Sequence, residues 1–498
     1  MRKAVRKMAL LLTLCCVVAV WGIQLPKAYA VSPEEIREIQ TNTVVADCLE
    51  KNDTVKYYKF TMDKTGYFQL AFQIPGLDVD PAQGWKISLL DTDGNTCLYE
   101  TSITQNTVFP AFPFVKGKMF YIKIRSVSTY FPPEGIGYEI SLNTYEDTSW
   151  EVEFNNTAAE ANSVTANQNY RGNLISADDV DYYTFETKED GFFQVEFLIP
   201  GIDINVEQGW KVTIFQDQKE IHSYIMTENT RTCPYPFAKG TKFMVKIQAQ
   251  STYFSPTFVE YNFSVLTKES KYWEQENNDQ IVGANEIKSG KTYEGTALTP
   301  GDTDYYKIKM SKKGFLTYTF RPNTLPEEIG QGYHLYVYNQ DNEELYNLSS
   351  VTGETSATLY LNKGVYYIRV SVQNSYFPPA NNVAYSLTAT TKAAAKPGKV
   401  TIQSLKSSTY KYWSSTYKNI KYKVKAIANA SGYEYQYCTN KKFKKDMVKG
   451  TVEGKTGTFG EKLVSKKNYY VRIRAYYETP TGERTYGAWS SVKAVKIK

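Results

Sequence analysis

Three stretches of this chain carry the same landmarks in nearly the same register, and a chain so built must fold as a series of like units. The first has Lys56-Tyr57-Tyr58, Gly66 and Gly84-Trp85. The second has Asp181-Tyr182-Tyr183, Gly191 and Gly209-Trp210, and the third Asp304-Tyr305-Tyr306, Gly314 and Gly332-Tyr333. Each then reaches an aromatic loop: Tyr130-Phe131-Pro132-Pro133, Tyr253-Phe254-Ser255-Pro256 and Tyr376-Phe377-Pro378-Pro379. A period of about 123–125 residues is far above the roughly 20–50 of stacked solenoid repeats, so the copies are tandem whole domains. A fold copied three times with no catalytic insertion suits binding or spacing rather than an enzyme.

The repeats read as β-sheet. Phe192–Leu198 and Tyr366–Val370 are short, rich in aromatic and β-branched residues, and bounded by Gly, Asn, Asp and Pro turns, as all-β sandwiches require. Lys242–Gln248 alternates, which predicts one buried and one wet face. Helix-like pieces are short, such as Pro33–Gln40. The expected fold class is all-β: tandem, jelly-roll-like β-sandwiches, then an immunoglobulin-like sandwich at the C-terminal end.

Basic residues Arg2, Lys3, Arg6 and Lys7, an apolar run from Met8 to about Leu25, and Ala28-Tyr29-Ala30 have the form of a cleaved secretory signal, 1–30. No later stretch approaches the roughly 20 apolar residues needed to span a bilayer. The expected divisions are repeats at 31–145, 146–268 and 269–390, a linker at 391–398, and a last domain at 399–498. From Lys396 onward there are 23 Lys and Arg against 6 Asp and Glu, a net of +17. With the formal total at +6, the repeats are correspondingly acidic. Cys48, Cys97, Cys233 and Cys438 are not at metal spacing. Cys48 and Cys97 share the first repeat; they could pair after export or stay free thiols.

In the last domain Gly432–Tyr437 alternates. Leu463 precedes Tyr469 by six residues at the head of Tyr469–Tyr476, in the form of a tyrosine-corner strand. With Trp489-Ser490 near its end, this part resembles a fibronectin type III domain of the Lys-rich kind found at the ends of secreted Gram-positive proteins.

The repeats resemble the bacterial pre-peptidase C-terminal family, small β-sandwiches usually attached to secreted peptidases. The match rests on Glu153-Phe154-Asn155-Asn156 and Glu276-Asn277-Asn278-Asp279, and on Asp-x-Asp-Tyr-Tyr at Asp179–Tyr183 and Asp302–Tyr306. No peptidase accompanies them here. His222 and His334 fall in strand-like runs, and the chain has neither His-Glu-x-x-His nor Gly-x-Ser-x-Gly.

Collagen-binding domains of clostridial collagenases look like members of the same family, and this resemblance implies calcium. Their Glu-x-Glu-x-Asn-Asp pattern, followed by an Asp pair, maps onto Glu151, Glu153, Asn155, Asn156, Asp178 and Asp181 in repeat two. In repeat three it maps onto Glu274, Glu276, Asn278, Asp279 and Asp304, with Gly301 in place of the first later Asp. Repeat one lacks the Glu-x-Glu opening and has Lys56 where Asp181 stands. Calcium takes six to eight hard oxygens, which such a set can supply; the same residues also cap turns and solvate surfaces.

The pairs Tyr130/Phe131, Tyr253/Phe254 and Tyr376/Phe377 either stack on sugar rings or grip a peptide, or else plug the sandwich end. Trp85 and Trp210 are expected in the core. Lys441, Lys442, Lys444 and Lys445 head the basic domain, whose excess charge should attract polyanions such as teichoic acids or acidic glycans. Nucleic acid has no supporting motif. The expected role is a secreted, non-catalytic, cell-wall-associated adhesion protein that recognises extracellular polysaccharide or matrix protein. The alternative is a spacer or accessory subunit for a separate hydrolase.

Overall fold

A computed structural model describes residues 36–74 (except 52–53), 83–200 (except 131), 208–298, 301–323, 332–372 and 384–498 (except 462). Their regular secondary structure is almost entirely β-strand; one 3-10 turn, Ile281–Gly283, stands among them. The stretch expected to be a signal, 1–30, lies outside the described residues. No helix among them is long and apolar enough to cross a membrane. Backbone contacts divide the chain into two compact units. One runs to Phe185 and takes in Glu196–Thr230 and Lys242–Val265; the other comprises Glu186–Val195, Arg231–Thr241 and Leu266–Lys498.

One sheet recurs three times with the same strand order. In repeat one the order across the sheet is Ile36–Glu38, Val55–Thr61, Met119–Ser126, Trp85–Leu90 and Cys97–Ile103. In repeat two it is Asn162–Ser163, Val180–Glu186, Lys242–Ala249, Trp210–Gln216 and Lys219–Met226. In repeat three it is Asn285–Glu286, Thr303–Met310, Gly364–Val372, Tyr333–Asn339 and Glu344–Val351. The first strand of each lies parallel to the second. The expected helix at Pro33–Gln40 is corrected: Ile36–Glu38 is a strand, because its backbone pairs with Tyr57–Lys59.

A second sheet faces the first. In repeat one Gly137–Glu146 lies between Val44–Cys48 and Gly66–Gln73, and in repeat three Ala384–Ala393 lies between Lys291–Thr296 and Gly314–Pro322. In repeat two Asn169–Gly172 pairs with Tyr261–Ser264. Alternation decides what goes inside: Phe120, Ile122 and Ile124 of Met119–Ser126 are fully buried, and the residues between them are half-buried. Trp85, Trp210 and Tyr333 are all fully buried, at one core position in the three copies. The strand Ala384–Ala393 runs into the stretch expected to be linker, with Ala393 paired to Gly314.

The last domain is also a two-sheet sandwich. Ile402–Tyr412, Ser415–Val424 and Thr456–Phe459 form one sheet; Val448–Val452, Gly432–Cys438, Asn468–Glu478 and Arg484–Tyr486 form the other, with Lys493–Lys496 also on Asn468–Glu478. Tyr469 Oη accepts a hydrogen bond from the Val464 amide at 3.1 Å, the corner its spacing from Leu463 predicts.

Candidate metal centres

The segment Ser149–Asn155 crosses one end of the repeat-two sandwich and is held to both sheets. On one side the Glu151 amide donates to Arg171 O and the Arg171 amide to Ser149 O, each at 2.8 Å. On the other, the Tyr182 amide donates to Asn155 O at 3.0 Å. Between them Asn162 imitates a neighbouring strand: its Oδ1 accepts from the Val152 amide at 2.6 Å and its Nδ2 donates to Val152 O at 3.1 Å. In an extended segment, Val152 fixed to one side turns Glu151 and Glu153 to the other. Repeat three repeats each contact, with Glu274 and Glu294, Tyr305 and Asn278, and Asn285 clamping Gln275 at 2.7 and 2.9 Å.

The carboxylates so turned are buried, with Asp179 and Asp181 from the head of the adjoining strand. Glu151 Oε1 accepts from the Asn173 amide at 2.7 Å and its Oε2 from Tyr183 Oη at 2.7 Å. The hydroxyls of Tyr183 and Tyr261 meet at 2.7 Å, and Tyr261 donates to Asp181 Oδ2 at 2.6 Å. Asp179 Oδ2 accepts from the Ile175 amide at 2.7 Å. Both Glu153 oxygens, Asn155 Oδ1 and Asp181 Oδ1 are buried with no hydrogen-bond partner. One oxygen each from Glu151, Glu153 and Asp181 lie within 4.8 Å of one another.

Repeat three builds the same cage. Glu274 Oε1 accepts from the Thr296 amide and its Oε2 from Tyr306 Oη at 3.0 Å. Tyr306 and Tyr385 hydroxyls meet at 2.8 Å, and Tyr385 donates to Asp304 Oδ2. Asp302 Oδ2 accepts from the Leu298 amide at 2.5 Å. Glu276 Oε1, Asn278 Oδ1, Asp304 Oδ1 and the hydroxyl of Thr296 are buried oxygens left without partners. Glu274, Glu276 and Asp304 again converge within 4.8 Å.

A small strand residue makes room for each cage. Gly172 pairs with Tyr261 and Gly295 with Tyr385. A Cβ on Gly172 would lie 2.4 Å from Tyr261 Oη and 2.9 Å from Glu151 Cδ; one on Gly295 would lie 2.6 Å from both tyrosine hydroxyls and 2.7 Å from Glu274 Oε2. In repeat one Asp47 occupies that register position, opposite Tyr138. It accepts from Tyr58 Oη at 2.8 Å, and Tyr58 meets Tyr138 at 2.7 Å. Lys56, in the place of Asp181, lays its Nζ 3.4 Å from Asp47 and 2.5 Å from Glu50. Repeat one therefore carries a tethered ammonium where the other two gather carboxylates.

Electrostatics separate the copies the same way. Burial pushes Glu151 up to about 7, against hydrogen bonds from Asn173 and Tyr183 that pull it down. Burial and the neighbouring acids drive Glu153 and Asp181 well above the carboxylate range. In repeat three, burial and the charges of Glu274, Asp302 and Asp279 push Glu276 up to about 9; burial and Glu274 raise Asp302 to about 7. Asp47 shifts the other way: burial raises it, but the bonds from Tyr58 and Cys48 and the charge of Lys56 hold it below the usual value. A crowd of buried acids is stable only protonated or around a cation. The unpartnered oxygens, all hard donors, fit the cation.

The expected ligands fall into two groups. Glu151, Glu153, Asn155, Asp181, Glu274, Glu276, Asn278 and Asp304 are brought together. Asp178 is exposed, and Asp179 takes the buried place, because only Asp179 shares the inward face with Asp181. Asn156 and Asp279 are exposed, although Asp279 Oδ1 accepts from the Thr303 amide at 3.3 Å. Sequence reasoning missed Asp179, Asp302, the tyrosine pairs and the two glycines; Asp-x-Asp-Tyr-Tyr already held both acids and one tyrosine of each pair.

Tyr130 and Tyr253 are 88% and 93% exposed, and Phe254 is 49% exposed, so these aromatics do not plug the sandwich. Phe131, Tyr376 and Phe377 lie outside the described residues. Lys441, Lys442, Lys444 and Lys445 are exposed on the loop before Val448–Val452. The four described cysteines are free thiols. His222 and His334 sit on strands.

No family model matches the chain. Among solved structures it is similar to the pre-peptidase C-terminal domain of collagenase from Bacillus anthracis, at 18% identity over 23% of this chain and 99% of that one, TM-score 0.19. It is also similar to tandem CBM51 modules of a family 98 glycoside hydrolase from Streptococcus pneumoniae, at 12% identity over 45% and 83%, TM-score 0.16. A third similar structure is the CUB1-EGF-CUB2 region of human MASP-1/3, at 10% identity over 45% and 98%, TM-score 0.15.

Proposed function

We propose that this chain is a secreted, non-catalytic, modular adhesion protein of a Gram-positive cell envelope, with calcium at the heads of repeats two and three. The observation that carries the reading is the pair of cages, each with buried acidic and amide oxygens that nothing else satisfies. Calcium would supply the missing positive charge and coordinate oxygen atoms of Glu151, Glu153, Asn155 and Asp181, or of Glu274, Glu276, Asn278 and Asp304. The residues around them do the positioning: Tyr183 and the Asn173 amide each hold an oxygen of Glu151, and Tyr261 holds Asp181 Oδ2, which leaves Asp181 Oδ1 free to turn inward.

The cage of repeat two also belongs to the joint with repeat one. The Glu153 amide donates to Pro113 O at 3.1 Å, Asn173 Nδ2 to Ala111 O at 3.0 Å, and the Phe154 ring meets Phe114 edge-on at 5.7 Å. Ordering the cage thus orders the joint. Exposed Tyr130, Tyr253 and Phe254 then offer rigid aromatic contact surface to a polysaccharide or a matrix protein. The basic domain holds wall polyanions through Lys441, Lys442, Lys444 and Lys445.

A spacer for a separate hydrolase is the second reading. It is favoured by Phe258, which packs edge-on against Tyr99 and Phe112 of repeat one at 4.9 and 5.3 Å and stiffens the array. The two readings part on a binding assay of the mature chain with wall polysaccharide and with a collagen-like peptide, with calcium present. The adhesion reading predicts saturable binding, weakened about tenfold by Tyr130→Ala with Tyr253→Ala. Binding to neither ligand, or binding indifferent to both substitutions, would favour the spacer.

A further inference from the structure

The C-terminal sandwich is open along one side. Its three-stranded sheet ends at Thr456–Phe459 and the facing sheet at Val448–Val452, and residues of both edge strands line a groove of about 590 Å³. That volume falls within the range of small-ligand sites.

The lining is aromatic and polar together. Tyr435 stacks on Phe459 with ring centres 4.1 Å apart and planes 9° from parallel, and Tyr437 lies 5.9 Å from the same ring. Tyr410 is braced across its hairpin by Tyr417 at 5.5 Å. Asn419, only 8% exposed, has a side-chain oxygen with no hydrogen-bond partner. Glu461 is exposed at the groove. Burial and then the Glu461 charge push the hydroxyls of Tyr410 and Tyr435 up, so the carboxylate is in electrostatic reach of both. Among the described lining residues there is no lysine or arginine, in a domain that carries 22 of them.

We propose that this groove binds an uncharged oligosaccharide. A pyranose ring has one apolar C–H face and a rim of hydroxyls. The face stacks on tyrosine and phenylalanine rings, while amides and carboxylates take the rim. Tyr410 and Tyr435, both half-buried, supply the rings, backed by the buried Tyr437 and Phe459; Asn419 and Glu461 supply the amide and the acceptor. An anionic glycan meets Glu461 with no cation among the described lining residues to offset it. A proline-rich strand also suits an aromatic groove, but proline has no N–H to give Glu461 or the Asn419 oxygen. The site uses none of the residues of the calcium cages.

The test is calorimetry on the mature chain, 31–498, in the presence of chelator, with four probes: N-acetylglucosamine tetramer, cellotetraose, tetragalacturonate and a proline decapeptide. The expected result is saturable binding of an uncharged tetramer that survives chelation and raised salt. Glu461→Gln and Tyr410→Ala should each weaken it about tenfold. Glu461 is exposed and Tyr410 half-buried on a hairpin, so both variants should keep the wild-type melting profile, which is measured alongside. Absence of binding by both uncharged tetramers at millimolar concentration would overturn the proposal. So would wild-type affinity in either variant, or displacement of a bound tetramer by the decapeptide or the galacturonate. Because chelator is present throughout, failure here leaves the calcium reading untouched, and failure of that reading leaves this one.

Discussion

Gly172 and Gly295 are the residues on which the cages depend in the simplest steric sense, since each holds open the space a carboxylate fills. Gly172→Ala should destabilise repeat two by about 1–3 kcal/mol, the usual cost of overpacking. It should also remove one calcium ion per chain while repeat three keeps its own; calorimetric stoichiometry beside a thermal melt checks both. The acids make a second prediction. Glu151 and Glu276 titrate higher folded than unfolded, so the metal-free native state holds protons that the unfolded chain has released. Stability in chelator should therefore be fully present below about pH 4.5 and decline as pH rises through about 7 and then about 9. Calcium should reverse the slope, because its binding displaces those protons. Melting temperatures at pH 5 and pH 8, with and without calcium, decide it; an upward slope in chelator would contradict the assignment.

At the scale of elements, the extended segments Ser149–Asn155 and Tyr272–Asn278 act as lids fixed by Asn162 and Asn285. Asn162→Ala unpairs the Val152 amide and carbonyl. It should cost about 1–3 kcal/mol and weaken calcium binding in repeat two, without altering repeat three; the melt and the calorimetric isotherm read these separately. Much of this was legible in the chain: strand alternation places Phe120, Ile122 and Ile124 inside, and Glu-x-Glu places two acids on one side of an extended segment. The same period of two selects Asp179 over Asp178, which counting residues between motifs did not. The tyrosine pairs were not legible, since Tyr183 and Tyr261 stand 78 residues apart and meet only because two sheets close on each other. Ile36–Glu38 misled for a related reason: a three-residue edge strand takes its conformation from the partner it pairs with, not from its own pattern.

At the scale of the molecule, side chains join repeat one to repeat two through Phe154 and Phe114. The basic domain is docked, not merely tethered, to repeat three: Phe315, Tyr360 and Tyr477 form a small buried cluster. Glu483 meets Lys313 at 2.5 Å and Asn362 at 2.9 Å beside it. Tyr477→Ala should cost about 3 kcal/mol at this joint, and should split the unfolding of repeat three from that of the basic domain, as separate transitions in urea. The central claim is that the carboxylate cages of repeats two and three hold calcium, while repeat one, with Lys56 in place, needs none. Its most direct measurement is calcium calorimetry on the mature chain beside a Glu153→Gln, Glu276→Gln double variant of unchanged fold. Two ions per chain, one for each cage, both lost in the variant, is the predicted result. No saturable heat at millimolar calcium, or binding that survives both substitutions, would contradict it.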